Sequence, residues 1–259
     1  MAPLFAERFG AELELAAGFD TDLLGTFTRE IERQGDQLQA ARRKAEKGME
    51  LLDVTCGVAS EGAFGPGPFG LFAWNVELVV LVDRVRGVEI VGRAQGDAHH
   101  FHGQVATHDA LDAFAHKAGF PGHGLVVRPD GEHDPRVAKG LVEWPVLHAA
   151  FDEAMAQARS GFVFVESDLR AHLNPTRMDM VRKATASLLD RMKSECPRCG
   201  TPGFWVVERI AGLPCRDCAL PTQEARAERW ACVAADHSEL RDLSAGRLAD
   251  PSRCGSCNP

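Results

Sequence analysis

The sequence predicts an α/β protein: a mixed sheet flanked by helices over residues 1–193, then a compact cysteine-rich module over 194–259. Three observations carry this. Apolar runs of strand length alternate with amphipathic runs of helix length. Two of the strand runs, NVELVVLVDR and VEIVGRAQ, are joined by a tight turn at Arg86 and Gly87 and read as an antiparallel hairpin. Seven of the eight cysteines fall in the last 64 residues.

In chain order, APLFAERFG predicts a short helix, and ELELAAGFDTDLLGTF a strand followed by an acidic turn with Asp20 and Asp22. GDQLQAARRKAEKGMELL predicts an amphipathic helix over 35–52, because Leu38, Ala41, Ala45, Met49 and Leu52 recur at spacings of three and four. VTCGVAS predicts a buried strand over 54–60, with Cys56 as a small buried residue. The stretch after it, EGAFGPGPFG, is rich in glycine and proline and reads as a loop. HDALDAFAHKAGF predicts a helix and GLVVR a short strand; residues 143–159 predict another helix and GFVFVES another strand. Residues 175–193 predict the last long helix, with Val181, Ala184, Leu188 and Met192 as its apolar stripe. Asn174 is placed to cap it and Pro175 to occupy its first position.

The chain of 259 residues carries a net charge of −8. That balance argues against a nucleic-acid partner, since non-specific affinity for polyanions comes from lysine and arginine neutralising phosphates. No apolar run reaches the roughly 18–20 residues needed to span a bilayer, which argues against a membrane role. The opening residues lack the basic-then-apolar pattern of a secretory signal, so a cytoplasmic location is expected.

In a cytoplasmic chain, paired C-x-x-C spacings indicate metal rather than disulfides. CPRCG at 196–200 and CRDC at 215–218 flank an apolar FWVV. The expected arrangement is a zinc ribbon, in which Cys196, Cys199, Cys215 and Cys218 hold one structural zinc through four thiolates. Cys254 and Cys257 form a further half-site. Its partner would be Cys232, but position 235 is alanine; His237 is the nearest substitute. The tail is therefore either a second zinc site, made by Cys232, His237, Cys254 and Cys257, or a degraded one. Residues 196–259 hold eight arginines and eight acidic residues, which favours a structural role or a protein partner for this module over nucleic acid.

The run VESDLRAHLNPTRM, 165–178, is the densest polar cluster in the chain. Glu166 and Asp168 are two apart on a strand and share a face. Arg170 and Arg177 supply bidentate donors, Asn174 and Thr176 lie at the helix start, and free N–H groups open the helix. With Glu61, which follows a strand, these residues suit a site for magnesium or manganese and a phosphorylated small molecule: Glu61, with Glu166 or Asp168, holds the metal and orients water, Arg170 and Arg177 hold phosphate, and Asn174 and Thr176 are further ligand-binding candidates. The same residues suit ion pairs that brace the helix start. The histidines at 99, 100 and 102 read as an exposed loop cluster.

Four stretches, FDTDLLGTFTREIERQGDQ, ASEGAFGP, VESDLRAHLNPTRM and CPRCGTPGFWVVERIAGLPCRDCALPT, resemble an uncharacterised bacterial family of unknown function with a C-terminal zinc ribbon. The resemblance implies an extra strand ahead of MAPLF, so the chain is expected to lack a first strand. It also implies C-x-x-C at the third pair, where this chain has Cys232 and Ala235. The order GDQLQAARRKA, VTCGVA, SEGAFG, FAWNVELVVLVDR, VEIVGRA, with NPTRMDMVRKATASLLDRM later, is similar in pattern to the pyrophosphatases of inosine and xanthosine triphosphate. That likeness implies a metal-dependent hydrolase of a nucleotide or related phosphate compound. The alternative is a non-catalytic zinc-binding protein that senses a phosphorylated ligand or docks a protein partner.

Overall fold

The computed structural model describes residues 1–18, 35–67 and 70–259. The expected α/β class and the cysteine-rich module are present. The chain divides into two compact units: 1–82 with 91–187, and 83–90 with 188–259. No described helix is long and apolar enough to cross a membrane.

In the first unit, α1 (Ala2–Phe9) is short and ends at Gly10 in the left-handed conformation. Residues 11–18 form no strand. The expected strand is absent there, and the acidic turn with Asp20 and Asp22 lies outside the described residues. Helix α2 (Gln37–Leu52) starts with a capping box: the Asp36 side chain accepts from the Gln39 N–H while the Gln39 side chain accepts from the Asp36 N–H. It buries Ala40, Ala41, Ala45 and Met49.

A three-stranded sheet is ordered β1 (Cys56–Pro66), β2 (Ala73–Asp83), β3 (Val88–Asp97). β2 and β3 form the expected hairpin around Gly87, which has a positive φ of 63°. α2 packs on β1 closely enough that a Cβ at Gly57 would meet the Met49 side chain at 2.6 Å and the Ala45 carbonyl at 2.8 Å. The Gln37 amide donates to the carbonyls of Glu61 and Val76, which ties α2 to both strands.

Two expectations change here. β1 runs on through EGAFGP, so Glu61 lies inside a strand and not in a loop. Its eleven residues pair along an equally long β2, which overrides the local turn preference of glycine. Cys56 is exposed and not buried, because it sits at the very start of β1.

The second sheet is ordered β4 (His102–Val105), β7 (Val163–Ser167), β5 (Leu125–Pro129), β6 (Ala138–Leu141). Its pairings are all antiparallel. The strands of the first unit thus divide between two sheets instead of joining one. Helices α3 (His108–Lys117) and α4 (Trp144–Gln157) cover one face. Thr107 caps α3. Leu111, Ala115, Leu147, Phe151, Val127 and Val165 are among the residues of this core. β7 and β5 are buried along their whole length, so both faces are covered.

Helix α5 (Pro175–Lys193) buries Val181, Ala184 and Leu188 as expected. Asn174 caps it by accepting from the Arg177 N–H at 3.0 Å, while its amide donates to the carbonyls of His99 and Asp168.

In the second unit, β8 (Trp205–Ala211), β9 (Ala225–Ala231) and β10 (Ser238–Asp242) form an antiparallel meander with β9 in the centre. Trp205 and Trp230 meet with ring centroids 5.3 Å apart, and the Arg241 guanidinium lies 3.9 Å above the Trp230 ring. Cross-strand pairs Arg209–Glu228 and Arg229–Glu208 line the sheet.

Asn174 makes one cap bond and two loop contacts from a position that is 1 % exposed. Asn174→Ala is expected to lower stability by about 1–3 kcal/mol, read as a lower urea midpoint with an unchanged slope.

Candidate metal centres and the polar corner

The register of the C-terminal meander decides which cysteines meet. Trp205 at the start of β8 pairs with Ala231 at the end of β9. The knuckle 196–199, just before β8, therefore lies at the same end of the sheet as Cys232, just after β9. The knuckle 215–218 follows β8 at the other end. There Cys215 bridges Ala249, five residues before Cys254.

The sulfurs accordingly form two groups: Cys215, Cys218, Cys254 and Cys257, and Cys196, Cys199 and Cys232. The expected first site, Cys196 and Cys199 with Cys215 and Cys218, is corrected. Seven residues of β8, at about 3.3 Å each, carry the two pairs roughly 20 Å apart. The expected second set divides as well: Cys232 joins the first knuckle, and His237 joins neither group. The His237 ring stacks on Phe204 at 5.7 Å, and its Nε2 faces Glu239 at 3.3 Å.

The spacing within the groups fits a metal. Cys218 and Cys254 sulfurs are 3.6 Å apart, Cys215 and Cys257 3.9 Å, and Cys199 and Cys232 3.7 Å. A tetrahedron with metal–sulfur bonds of about 2.3 Å has edges of roughly 3.8 Å, and a disulfide would need about 2.05 Å. All eight cysteines are free thiols. Crowding separates their proton affinities. The backbone N–H groups of Cys257 and Ser256 hold the Cys254 thiol down at about 7, and hydrogen bonding with Cys218 pushes Cys257 up to about 12. The Thr201 hydroxyl lowers Cys199 to about 7. Four thiolates with these spacings fit structural zinc.

The residues of the polar corner are each engaged by a partner. Glu166 is buried and meets the buried Arg128 guanidinium at 2.7 Å, with His100 Nε2 at 4.0 Å. Asp168 accepts from Arg170 at 2.6 Å and from the Gly140 N–H at 3.1 Å. Glu61 meets Lys44 at 2.5 Å. Thr176 is hydrogen-bonded to His123 Nε2 at 3.0 Å; burial, then the charge of His99 stacked 3.8 Å away, lowers the His123 pKa. Arg177 donates to the Leu169 carbonyl at 2.6 Å and to Glu77 at 3.2 and 3.3 Å.

Among the described residues, neither group of three or more closely spaced donors includes Glu61, Glu166 or Asp168. His99 and His100 lie outside the strands but are half-buried, and His102 is exposed but opens β4, so the expected exposed loop cluster does not form.

Sequence reasoning missed Lys44, Glu77 and Arg128. Lys44 reads as part of the solvent face of α2, but it points at Glu61 on β1. Glu77 and Arg128 each interrupt an apolar strand, NVELVVLVD and GLVVRP. A lone charge inside such a run is the signal that was available, because a charge can be buried there only with a partner. Glu77 is fully buried. Burial raises its pKa above the ordinary 4.5, the nearby Glu61 carboxylate adds to the rise, and Arg177 opposes both. A Cβ at Gly62 would lie 2.6 Å from the Glu77 carboxylate and 2.8 Å from the Arg177 guanidinium, so a larger residue there would displace the ends of this pair.

A protein-family model described as "Domain of unknown function (DUF6671)" matches residues 44–259. No curated protein and no solved structure matches the chain.

Arg177→Ala strands the Glu77 carboxylate and is expected to cost about 3–5 kcal/mol, measured by urea unfolding at pH 7. The pH dependence has a defined sign. With its folded-state pKa raised, Glu77 binds more proton in the native than in the unfolded chain above pH 4.5. Its contribution to stability is therefore full below 4.5 and is lost as pH rises through the raised value. Unfolding curves between pH 4 and 7 are expected to show this fall in the wild type and not in Glu77→Gln.

Proposed function

The chain belongs to the family described as Domain of unknown function (DUF6671), and we propose that it is a zinc-binding protein that works by binding, with a metal-built C-terminal unit as its docking module. The observation that carries this reading is the interleaving of the two cysteine groups: the first knuckle joins Cys232, and the second joins the fourth. Each metal would tie together segments that are distant in sequence. The strands between them contribute little apolar burial of their own; Phe204, Leu213, Ala227 and Ala249 are the buried apolar residues of 200–259 besides cysteine. For a segment with so few buried apolar residues, metal binding supplies folding free energy.

Balanced charge in this unit argues for a protein partner over nucleic acid, as do the exposed Val207, Leu220, Leu240 and Leu248. The engaged carboxylates of the polar corner favour binding over hydrolysis. In this reading they brace the start of α5.

A second reading keeps the metal-dependent hydrolase of a nucleotide or related phosphate compound. Two observations favour it. Two carboxylates, Glu61 and Glu77, lie close enough to raise the pKa of Glu77, with Lys44 and Arg177 beside them. Asn75 Oδ1 is buried with no hydrogen-bond partner among the described residues, and such an atom marks a place for a further polar group. The relevant acids in this reading are Glu61 and Glu77, with Arg177 as the phosphate donor.

The protein loaded with zinc is expected to carry two equivalents by mass spectrometry. Removing them with a strong chelator is expected to shift and weaken the Trp205 and Trp230 fluorescence, with recovery on zinc addition. Chelation that leaves the fluorescence unchanged overturns the structural role. A nucleotide and phosphoester panel with magnesium or manganese is expected to show no turnover. Turnover that disappears in Glu61→Gln would establish the hydrolase instead.

A further inference from the structure

The two cysteine groups differ in one respect that bears on what the metal can do. Cys215, Cys218, Cys254 and Cys257 form a complete set of four. Cys196, Cys199 and Cys232 form a set of three, and no described His, Asp, Glu or Cys donor completes it. The loop that should supply the fourth ligand is nevertheless folded for the task. In the complete site, the Cys254 sulfur accepts from the backbone N–H groups two and three residues on, those of Ser256 and Cys257. In the incomplete site, the Cys232 sulfur accepts from the N–H groups of Ala234 and Ala235, again two and three residues on. These N–H···S bonds shape the turn that brings the second cysteine of a C-x-x-C pair to the metal. Residues 232–235 adopt this knuckle turn and carry a methyl group at the position of the second sulfur.

The alternatives within the chain lie elsewhere. The His237 ring is stacked on Phe204 and faces Glu239. Val233, Ala234, Ala235 and Asp236 are all exposed, as is Cys199. The unfilled corner therefore opens on solvent.

Resting on the reading that both groups hold zinc, we propose that Cys196, Cys199 and Cys232 form a three-thiolate site whose fourth coordination position accepts a small exogenous thiol. Three protein ligands and one open position are the arrangement that lets a bound zinc exchange its outer ligand, whereas four protein ligands close the site. A sulfur donor suits the position because the metal is already in a soft thiolate environment, and the position left by Ala235 is that of a cysteine sulfur. When water occupies the position, an entering thiol loses its proton to solvent, its thiolate binds the metal and the water departs; no oxidant or reductant takes part. The four-thiolate site does not exchange in this way. The protein thus carries one closed zinc site that holds the fold and one that reports on, or carries, a thiol.

The test uses the full chain loaded with two equivalents of cobalt in a phosphine-reduced buffer free of thiols. Cobalt reports its ligand set through its visible bands. Adding 2-mercaptoethanol is expected to change the bands of half the metal and to saturate at one thiol per chain. Ala235→Cys is expected to show the thiol-saturated spectrum from the start and to give no response. Zinc release to a chromogenic chelator is expected to have one fast and one slow equivalent in the wild type, and no fast equivalent in Ala235→Cys. A wild-type spectrum indifferent to thiol overturns the proposal, as does an Ala235→Cys protein that responds like the wild type. Binding of a single equivalent, at the four-cysteine site only, would instead sink the two-metal reading on which the proposal rests.

Discussion

The C-terminal unit depends on the antiparallel register of β8, β9 and β10. Because Trp205 faces Ala231, each strand reverses the chain and delivers the next cysteines to the opposite end of the sheet. The knuckles before and after β8 cannot meet, and each finds its partner two strands further along the chain. The candidate metal sites and the sheet thus depend on each other. The sheet sorts the sulfurs, and the sulfurs, once bridged, fix the ends of strands that have few apolar contacts to hold them. A metal-linked pair of this kind constrains the unfolded chain over long loops, where the entropic gain is largest.

The first unit solves a different problem, the burial of charge. Glu61, Glu77, Glu166 and Asp168 are all buried, and each is met by a cation brought from another part of the chain or from its own turn. Arg177 has the widest reach: it joins the start of α5 to β2 through Glu77 and to the 168–170 turn through the Leu169 carbonyl. Paired buried charges add less to stability than apolar packing would, and they penalise any arrangement that separates them. Here they set how α5 meets the strand ends. The raised pKa of Glu77 is the cost of that arrangement: burial disfavours its charged form more than Arg177 restores it.

Much of this was legible beforehand where the signal was local. The helices at 2–9, 37–52, 108–117, 144–157 and 175–193 follow from periodicity and caps, and Asn174 does what its position before Pro175 implies. The short strands β4 and β6, four residues each, have no periodicity to read. They exist because β7 and β5 are buried on both faces and need hydrogen-bond partners at their free edges. The glycine-rich run after Ser60 reads as a loop because turn propensity is local, while its place in β1 is fixed by a long β2 and by the close approach of Glu77 and Arg177 to Gly62. The same gap explains the partners of the polar corner. Glu166 and Asp168 were visible as paired acids on a strand; the pairings of Arg128, Lys44 and Glu77 were not, because a pairing between residues tens of positions apart leaves no trace in spacing.

The sequence by itself determined the α/β class, the main helices, the hairpin, and the presence of a thiolate-rich metal module, because propensity, periodicity and C-x-x-C spacing act over a few residues. It also determined that position 235 cannot be a sulfur ligand. Only the tertiary structure decided which cysteines come together, that His237 stacks on Phe204, and that the buried acids are held by cations. Those outcomes depend on strand register and on which segments a fold brings together, and neither is encoded in the distance between residues along the chain.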